Sequence, residues 1–219
     1  MTVGLVLLVI TGVLVLCGVG QRVLDRLRLT DRQALLFIGL IIAGGFIPAV
    51  PVTPLFSFSI GGALIPLALC IYLWIKADSG ERLRSLAAAA VTAVAVYLLG
   101  RFMPDEPEEM LIDPGYMHGL AAGVIGYLFG RSRRGAFIAG VVGVMLASVA
   151  NAVEVWSQGI PQKLALGGAG AFDVIVLSGL IAVLLSELIG EINERIRRGR
   201  QRPTRIFKNG EFIRKESEK

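Results

Sequence analysis

The residues that could do chemistry in this chain lie in its last two long apolar stretches. In the first stretch, Ser148, Asn151 and Glu154 follow one another in steps of three, which places them close together on a helix surface. In the second stretch, Asp173 stands among apolar residues. A carboxylate at membrane depth costs about 2.5–3.5 kcal/mol on insertion scales, so its presence points to a function. A glycine cluster precedes this aspartate: Gly167, Gly168 and Gly170.

The short connection Gln158–Lys163 makes these two stretches antiparallel neighbours. We therefore predict that Asn151, Glu154 and Asp173 converge in the outer half of a helix bundle. Two carboxylates that lie close together at low dielectric do not both ionise, so one holds a proton or the two share a cation. The pattern favours a proton, cation or small-solute transport site, in which the glycines allow close backbone approach or an unwound turn.

Two other interpretations stay open. A pair of acids is also what an intramembrane aspartyl-type hydrolase needs, and GAGAFD loosely resembles the Gly-x-Gly-Asp motif of presenilin-like and prepilin-type peptidases. Ala171 stands where that aspartate would be, and Asp173 is turned about 200° further round a helix, which weighs against an enzyme. The chain could also be a non-catalytic membrane scaffold, with Asp173 capping or hydrogen-bonding the glycine-broken segment and Glu154 simply hydrated.

The sequence contains one histidine, His118, close to Asp113. A carboxylate within reach could keep the imidazole protonated and make a pH sensor, although a hydrogen bond at an interface is the commoner role. One histidine and two distant cysteines do not assemble a metal site, and no nucleotide fingerprint is present. We expect neither a metal nor a cofactor.

Composition places these residues in a membrane. Of 219 residues 54% are hydrophobic, and the apolar runs are long enough to span a bilayer as helices. We predict an all-α membrane protein, a bundle of about seven transmembrane helices. The predicted spans are Val3–Val19, Ala34–Val50, Ser57–Ile75, Ser85–Gly100, Pro114–Gly130, Ala136–Trp156 and Leu164–Gly190.

The basic residues set the orientation of the bundle. Arginines and lysines follow spans one, three, five and seven, whereas the opposite side has only Arg101 and Lys163 among many acids. By the positive-inside rule the N-terminus lies outside and the C-terminus is cytoplasmic. The net charge of +5 therefore reflects topology, and we expect no nucleic-acid partner.

Seven spans with this orientation permit a 3+1+3 arrangement. PAVPVTPLFSFSIGGALIP and GIPQKLALGGAGAFD each carry proline, then apolar residues, then Gly-Gly-Ala, and such paired interrupted segments point to broken helices. The alternative is that the likeness has no structural meaning, because membrane helices are generally rich in glycine and proline. Small residues at helical spacing in spans five and six favour close packing and leave room for a homo-oligomer.

The chain is expected to divide into a bundle, residues 1–190, and a basic cytoplasmic tail, residues 191–219. Arginines in the tail would attract anionic lipid headgroups at the cytoplasmic face. Asn209-Gly210 between apolar residues is the strongest short signal for a β-hairpin, and a disordered tail is the alternative.

The stretches GRSRRGAFIAGVVGVMLASVANAVEV and GGAGAFDVIVLSGLIAVLLSELIGEINER together resemble a prokaryotic family of multi-pass membrane proteins known only as a domain of unknown function. The resemblance covers roughly Pro51 to Arg198. It implies the membrane class and a location in the plasma (inner) membrane of a prokaryote, and it brings no activity, ligand or catalytic residue with it.

Overall fold

The computed structural model describes residues 31–102, 114–130, 132–170, 173–200, 205–208 and 211–214. The helices are α1 (Asp31–Gly45), α2 (Ile65–Ile75), α3 (Ser79–Phe102), α4 (Pro114–Gly130), α5 (Arg133–Ser157) and α6 (Val174–Arg200), and a π-helix at Ile60–Leu64 leads directly into α2. The strands are β1 (Val50–Thr53), β2 (Phe56–Phe58), β3 (Leu164–Leu166), β4 (Arg205–Lys208) and β5 (Glu211–Arg214).

The chain divides into two compact units, Met1–Ser186 and Glu187–Lys219. In the second unit, β4 and β5 pair antiparallel, with Arg205 opposite Arg214. The first predicted span, Val3–Val19, lies outside the described residues.

The prediction of an all-helical chain is wrong at three of the expected spans. Span two continues to Val50 in the prediction, but α1 ends at Gly45 and Val50 opens β1. Spans three and seven were expected to be helical from Ser57 and Leu164, and both residues lie in strands. Proline explains the first difference, because Pro48 fixes φ and lacks the N–H that a continuing helix would use.

The three strands of the first unit form one small sheet in the order β1-β2-β3. Strands β1 and β2 are antiparallel, and β2 and β3 are parallel with Phe56 opposite Leu164. The Ser59 N–H continues the parallel ladder by donating to the Leu166 carbonyl at 2.9 Å. The two segments whose sequences resemble each other therefore lie side by side.

Glycines allow the π-helix to pass between two backbone segments. A Cβ on Gly62 would overlap the Gly167 carbonyl oxygen and would lie 2.6 Å from that of Gly170. Gly167 itself has φ of 72°, a conformation that side chains disfavour. On the other side, a Cβ on Gly61 would overlap the backbone of Gly45. The glycine turn, residues 167–170 after β3, thus packs against the π-helix that leads into α2 and against the end of α1.

Small residues bring α3, α4, α5 and α6 into close contact. A Cβ on Gly126 of α4 would lie 3.1 Å from the Gly140 nitrogen of α5, and one on Gly140 would lie 2.9 Å from the Ser178 carbonyl of α6. Gly143 of α5 packs in the same way against the buried Thr92 of α3. Close backbone approach of this kind is how helices associate where lipid supplies no hydrophobic drive, and it positions the ends of α3 and α5 beside each other.

Candidate functional site

An ion pair joins the C-terminal ends of α3 and α5. The Arg101 Nη1 lies 3.1 Å from the Glu154 Oε1 and also donates to the Tyr97 hydroxyl at 3.0 Å. The Tyr97 hydroxyl in turn donates to the Glu154 Oε2. Tyr97 and Arg101 are four residues apart, so they lie on the same face of α3. Both Glu154 oxygens are therefore held by α3, and the guanidinium balances the carboxylate charge.

Asp173 caps the N-terminus of α6. Its Oδ1 accepts a hydrogen bond from the Ile175 N–H at 3.0 Å, and its Oδ2 accepts one from the Ala169 N–H at 3.3 Å. A side-chain oxygen in this position satisfies one of the free N–H groups at a helix start. The predicted span Leu164–Gly190 puts Asp173 well inside a helix, and this is wrong: the residue stands immediately before Val174, the first residue of α6.

The two acids line one cavity of about 400 Å³. The cavity lies between the C-terminal halves of α3 and α5, strand β3 and the start of α6. The predicted site residues that line it are Ser148, Asn151, Glu154, Gly167 and Asp173, together with His118. Gly168 and Gly170 do not line it, and Asp113 lies outside the described residues.

Each carboxylate has its own set of partners, Arg101 and Tyr97 for Glu154 and two backbone N–H groups for Asp173. Among the described residues, no hydrogen bond joins the two carboxylates directly. The expected sharing of one proton or cation between them therefore has no support from a direct contact. The Ser148 hydroxyl bonds within its own helix and donates to the Val144 carbonyl at 2.9 Å.

Sequence reasoning missed Tyr97 and Arg101. Arg101 was interpreted only as one of the few bases on the outer side, and Tyr97 only as part of the predicted span Ser85–Gly100. The signal that could have found them is the spacing of four residues at the end of an apolar helix, opposite a glutamate at the corresponding end of another.

His118 lies half-buried on α4 and borders the same cavity. A Cβ on Gly100 would lie 3.3 Å from the His118 Nε2, so the imidazole packs directly against the backbone of α3. The pairing with Asp113 stays a prediction because that residue is not described.

A second ion pair joins the N-terminal ends of α3 and α5. The Arg134 Nη1 lies 3.3 Å from the Glu81 Oε2 and donates to the Lys76 carbonyl at 3.3 Å. The Ser132 hydroxyl donates to the Glu81 Oε1 at 2.6 Å and also caps α5 by accepting from the Gly135 N–H. Arg134 is only 7% exposed. In the sequence this region is recognisable only as a basic turn, RSRRG, and the buried ion pair was not predicted.

Within the part of the chain that the structure describes, no three His, Cys, Asp or Glu side chains are grouped as metal ligands would be. Cys70 is buried in α2 as a free thiol. The chemistry that the cavity offers is therefore that of a guanidinium, a phenol, an amide, an imidazole and two carboxylates.

Among the described residues, two helices, Ser79–Phe102 and Arg133–Ser157, are long and apolar enough to cross a membrane. Shorter apolar helices are Leu36–Gly45, Ile60–Ile75, His118–Phe129 and Val174–Ser186. The protein is thus mostly helical, with two helices whose length and composition are weak evidence for association with a membrane.

The chain belongs to the family described as protein of unknown function (DUF1614), whose model matches residues 23–185. The resemblance to a domain of unknown function is thereby confirmed. No curated protein and no solved structure matches the chain.

Proposed function

We propose that the chain is an integral membrane protein of about seven spans, in which the cavity between α3, α5, β3 and α6 is a site for passage of a proton, cation or small solute. The supporting observation is that Arg101, Glu154, Asn151 and Asp173 line one cavity at the same end of the two long apolar helices.

The two ion pairs support the placement in a bilayer. Glu81 and Arg101 mark the ends of α3, and Arg134 and Glu154 mark the ends of α5, with the signs of charge exchanged between the helices. On each helix the two charges that form these pairs lie about 20 residues apart, which is ~30 Å at the rise of an α-helix. That length equals the thickness of a bilayer hydrocarbon core, so the pairs would lie at its two boundaries.

The surface between the pairs is apolar. Large apolar side chains of α3 are exposed there, among them Leu83, Leu86, Val91, Val94 and Leu98. Trp74 lies beside the inner pair, where Arg82 is stacked 5.5 Å from its ring. Trp156 lies beside the outer pair and donates to the Gln162 carbonyl at 2.8 Å. Apolar surface bounded by tryptophan at both ends is typical of membrane-embedded helices.

The charges near each pair support the orientation. Basic residues surround the Glu81–Arg134 end: Lys76, Arg82, Arg84 and Arg133. The positive-inside rule then puts this end in the cytoplasm and the Arg101–Glu154 end, with its cavity, outside. The strands β2 and β3 would fill the outer layer beside the cavity, where their backbone is paired and packed within protein, as membrane depth requires.

The cavity is of the size that small ligands occupy. Its polar groups include both signs of charge and lie beside apolar walls formed by Val96 and Val144, where electrostatic interactions are stronger than in water. Hydrolysis is less well supported, because a catalytic acid pair shares a proton and these two carboxylates are bonded to different groups.

A flux measurement tests the proposal. The full chain would be reconstituted in liposomes that contain a pH-sensitive dye, or indicators for Na⁺ and K⁺, with a swelling assay for small polar solutes. We expect one of these permeabilities to rise above that of empty liposomes and to be lost in Glu154→Gln. The matched control is Asp78→Asn, an exposed acid at the other end of α3, which should leave the flux unchanged. Liposomes no more permeable than empty ones would overturn the proposal.

Orientation is tested separately with single cysteines in a background that lacks Cys17 and Cys70. A membrane-impermeant maleimide added to intact cells should label Gln162→Cys and leave Arg84→Cys unlabelled until the cells are permeabilised. The reverse pattern would place the cavity on the cytoplasmic side.

A further inference from the structure

We propose that the cavity recognises a small zwitterion, a solute that carries an ammonium and a carboxylate group a few ångströms apart. This inference rests on the proposed function and narrows it from protons, cations and small solutes in general to one chemical class. It is based on the hydrogen-bond donors and acceptors of the cavity that have no partner among the described residues.

Arg101 has donors left for a carboxylate. A guanidinium has five N–H donors, and here Nη1 alone serves Tyr97 and Glu154. Within the described residues, Nη2 and Nε have no partner, and the side chain is 62% exposed at the edge of the cavity. A second carboxylate could therefore bind the free edge of the guanidinium in the paired geometry that arginine favours.

Asn151 adds a second free polar group to the same wall. Its side chain lines the cavity, and among the residues that the structure describes its amide has no hydrogen-bond partner. It lies three residues before Glu154 and is therefore on the same side of α5. An amide can donate to a carboxylate or accept from an ammonium, so it suits either end of a zwitterion.

The two acids have acceptor capacity left for an ammonium group. A carboxylate can accept about four hydrogen bonds, and Glu154 and Asp173 each accept two. An ammonium has three donors and no acceptor, so it matches the acceptor positions that remain on these acids. Neither of the existing contacts of Asp173 needs to break, because both come from backbone N–H groups that remain in place.

The balance of charge selects the zwitterion over a simple ion. Among the described residues, one guanidinium and two carboxylates line the cavity, so a simple anion meets net repulsion from them. A simple cation would satisfy the acids but would leave the free donors of Arg101 facing the ligand without an acceptor. Because Arg101 is 62% exposed, a simple cation loses only the additional charge-assisted contact that a carboxylate makes with the guanidinium. A cavity of about 400 Å³ admits an amino acid or a molecule of similar size.

Binding to the purified full chain in detergent tests the inference. The zwitterions alanine, β-alanine and 4-aminobutyrate differ in the distance between their charges. Ethylammonium and propionate are the two halves of alanine, each with one charge. By calorimetric titration, we expect at least one zwitterion to bind about tenfold or more tightly than either half, which corresponds to one additional charged contact.

Variants then test which side chain of the cavity binds each charged group of the ligand. Arg101→Gln should reduce zwitterion affinity to about that of ethylammonium, and Glu154→Gln should weaken binding of both the zwitterion and ethylammonium. The control is Arg84→Gln, an exposed arginine at the opposite end of α3, which should bind as the unchanged protein does. Unchanged zwitterion binding in Arg101→Gln, with unfolding temperature retained, would overturn the assignment.

The outcomes separate this inference from the proposed function. If ethylammonium binds as tightly as every zwitterion, the inference of a zwitterionic ligand is wrong, but the proposal of a cation site still stands. If no probe binds but the liposomes still conduct protons or metal cations, the inference again falls and the proposed function stands. If neither binding nor flux is detected, both are wrong.

Discussion

Arg101 and Glu154 meet at 3.1 Å across the C-terminal ends of α3 and α5, and a pair of the opposite polarity closes the other end. Because Glu81 and Arg134 join the N-terminal ends of the same two helices, α3 and α5 run parallel. Each helix thus contributes one acid and one base to the two pairs, and each of these side chains meets its partner on the other helix at the same level. A shift of α3 along α5 by one turn would break both pairs together, so the two pairs fix the register of the helices.

The outer pair should contribute little to stability. Arg101 is 62% exposed and Glu154 29% exposed, and solvent screening limits such pairs to about 0.2–1 kcal/mol. A double-mutant cycle with Arg101→Gln and Glu154→Gln, followed by thermal unfolding in detergent, should therefore give a coupling energy of about 1 kcal/mol or less. A coupling of several kcal/mol would mean that the pair serves mainly to hold the helices together, and would weaken its assignment to a ligand site.

The inner pair should matter much more to stability. Arg134 is 7% exposed and its Nε has no partner among the described residues, so its charge depends on Glu81, and the Lys76 carbonyl accepts one further hydrogen bond. Removing one partner of a buried pair typically costs about 3–5 kcal/mol. Glu81→Gln should lower the unfolding temperature strongly, whereas the exposed neighbour Arg84→Gln should not. Equal effects of the two substitutions would contradict the buried role of this pair.

Sequence patterns predicted the helices best where apolar residues alone determine them. The predicted span Pro114–Gly130 is α4 itself, and Ala136–Trp156 lies within α5. The strands were missed because Val50–Phe58 is apolar and short, and such a run cannot be told from part of a buried helix by periodicity. Its partner β3 is distant in the chain, and pairing between distant segments leaves no local signal.

The candidate site was predicted in part for a similar reason. Asn151 and Glu154 were found because they lie on one helix face in a fixed spacing, and both line the cavity. The partner of Glu154 lies on α3, 53 residues earlier in sequence. The predicted topology makes these two helices parallel, but nothing local indicates that they are neighbours. Asp173 was placed too deep because the helix was expected to start at Leu164, whereas the glycine turn delays its start to Val174.

Gly62 should tolerate no side chain. A Cβ there would overlap the Gly167 carbonyl oxygen, and the backbone on both sides is fixed by the parallel strands β2 and β3. Overpacking of this kind typically costs about 1–3 kcal/mol, so Gly62→Ala should lower the unfolding temperature, and Gly62→Val should lower it further.

Gly39 provides the matched control for Gly62. It lies within α1, and a Cβ added there has nothing within 4 Å. Alanine is a better helix former than glycine by about 1 kcal/mol, so Gly39→Ala should leave the protein as stable or make it more so. If Gly62→Ala were equally harmless, the close contact between the π-helix and the glycine turn would not exist in solution.

Asp173 separates a structural role from a functional one, because asparagine and aspartate cap helices about equally well. Asp173→Asn keeps a side-chain oxygen for the Ile175 N–H and removes the charge, so its unfolding temperature should stay close to that of the unchanged protein. Asp173→Ala removes the cap as well and should cost about 1 kcal/mol. If the residue binds an ammonium or a cation, both variants should lose ligand affinity to a similar extent although only one loses stability. Flux and binding that persist in Asp173→Asn would mean that Asp173 is a helix cap alone, and that Glu154 is the carboxylate among the described lining residues that meets the ligand.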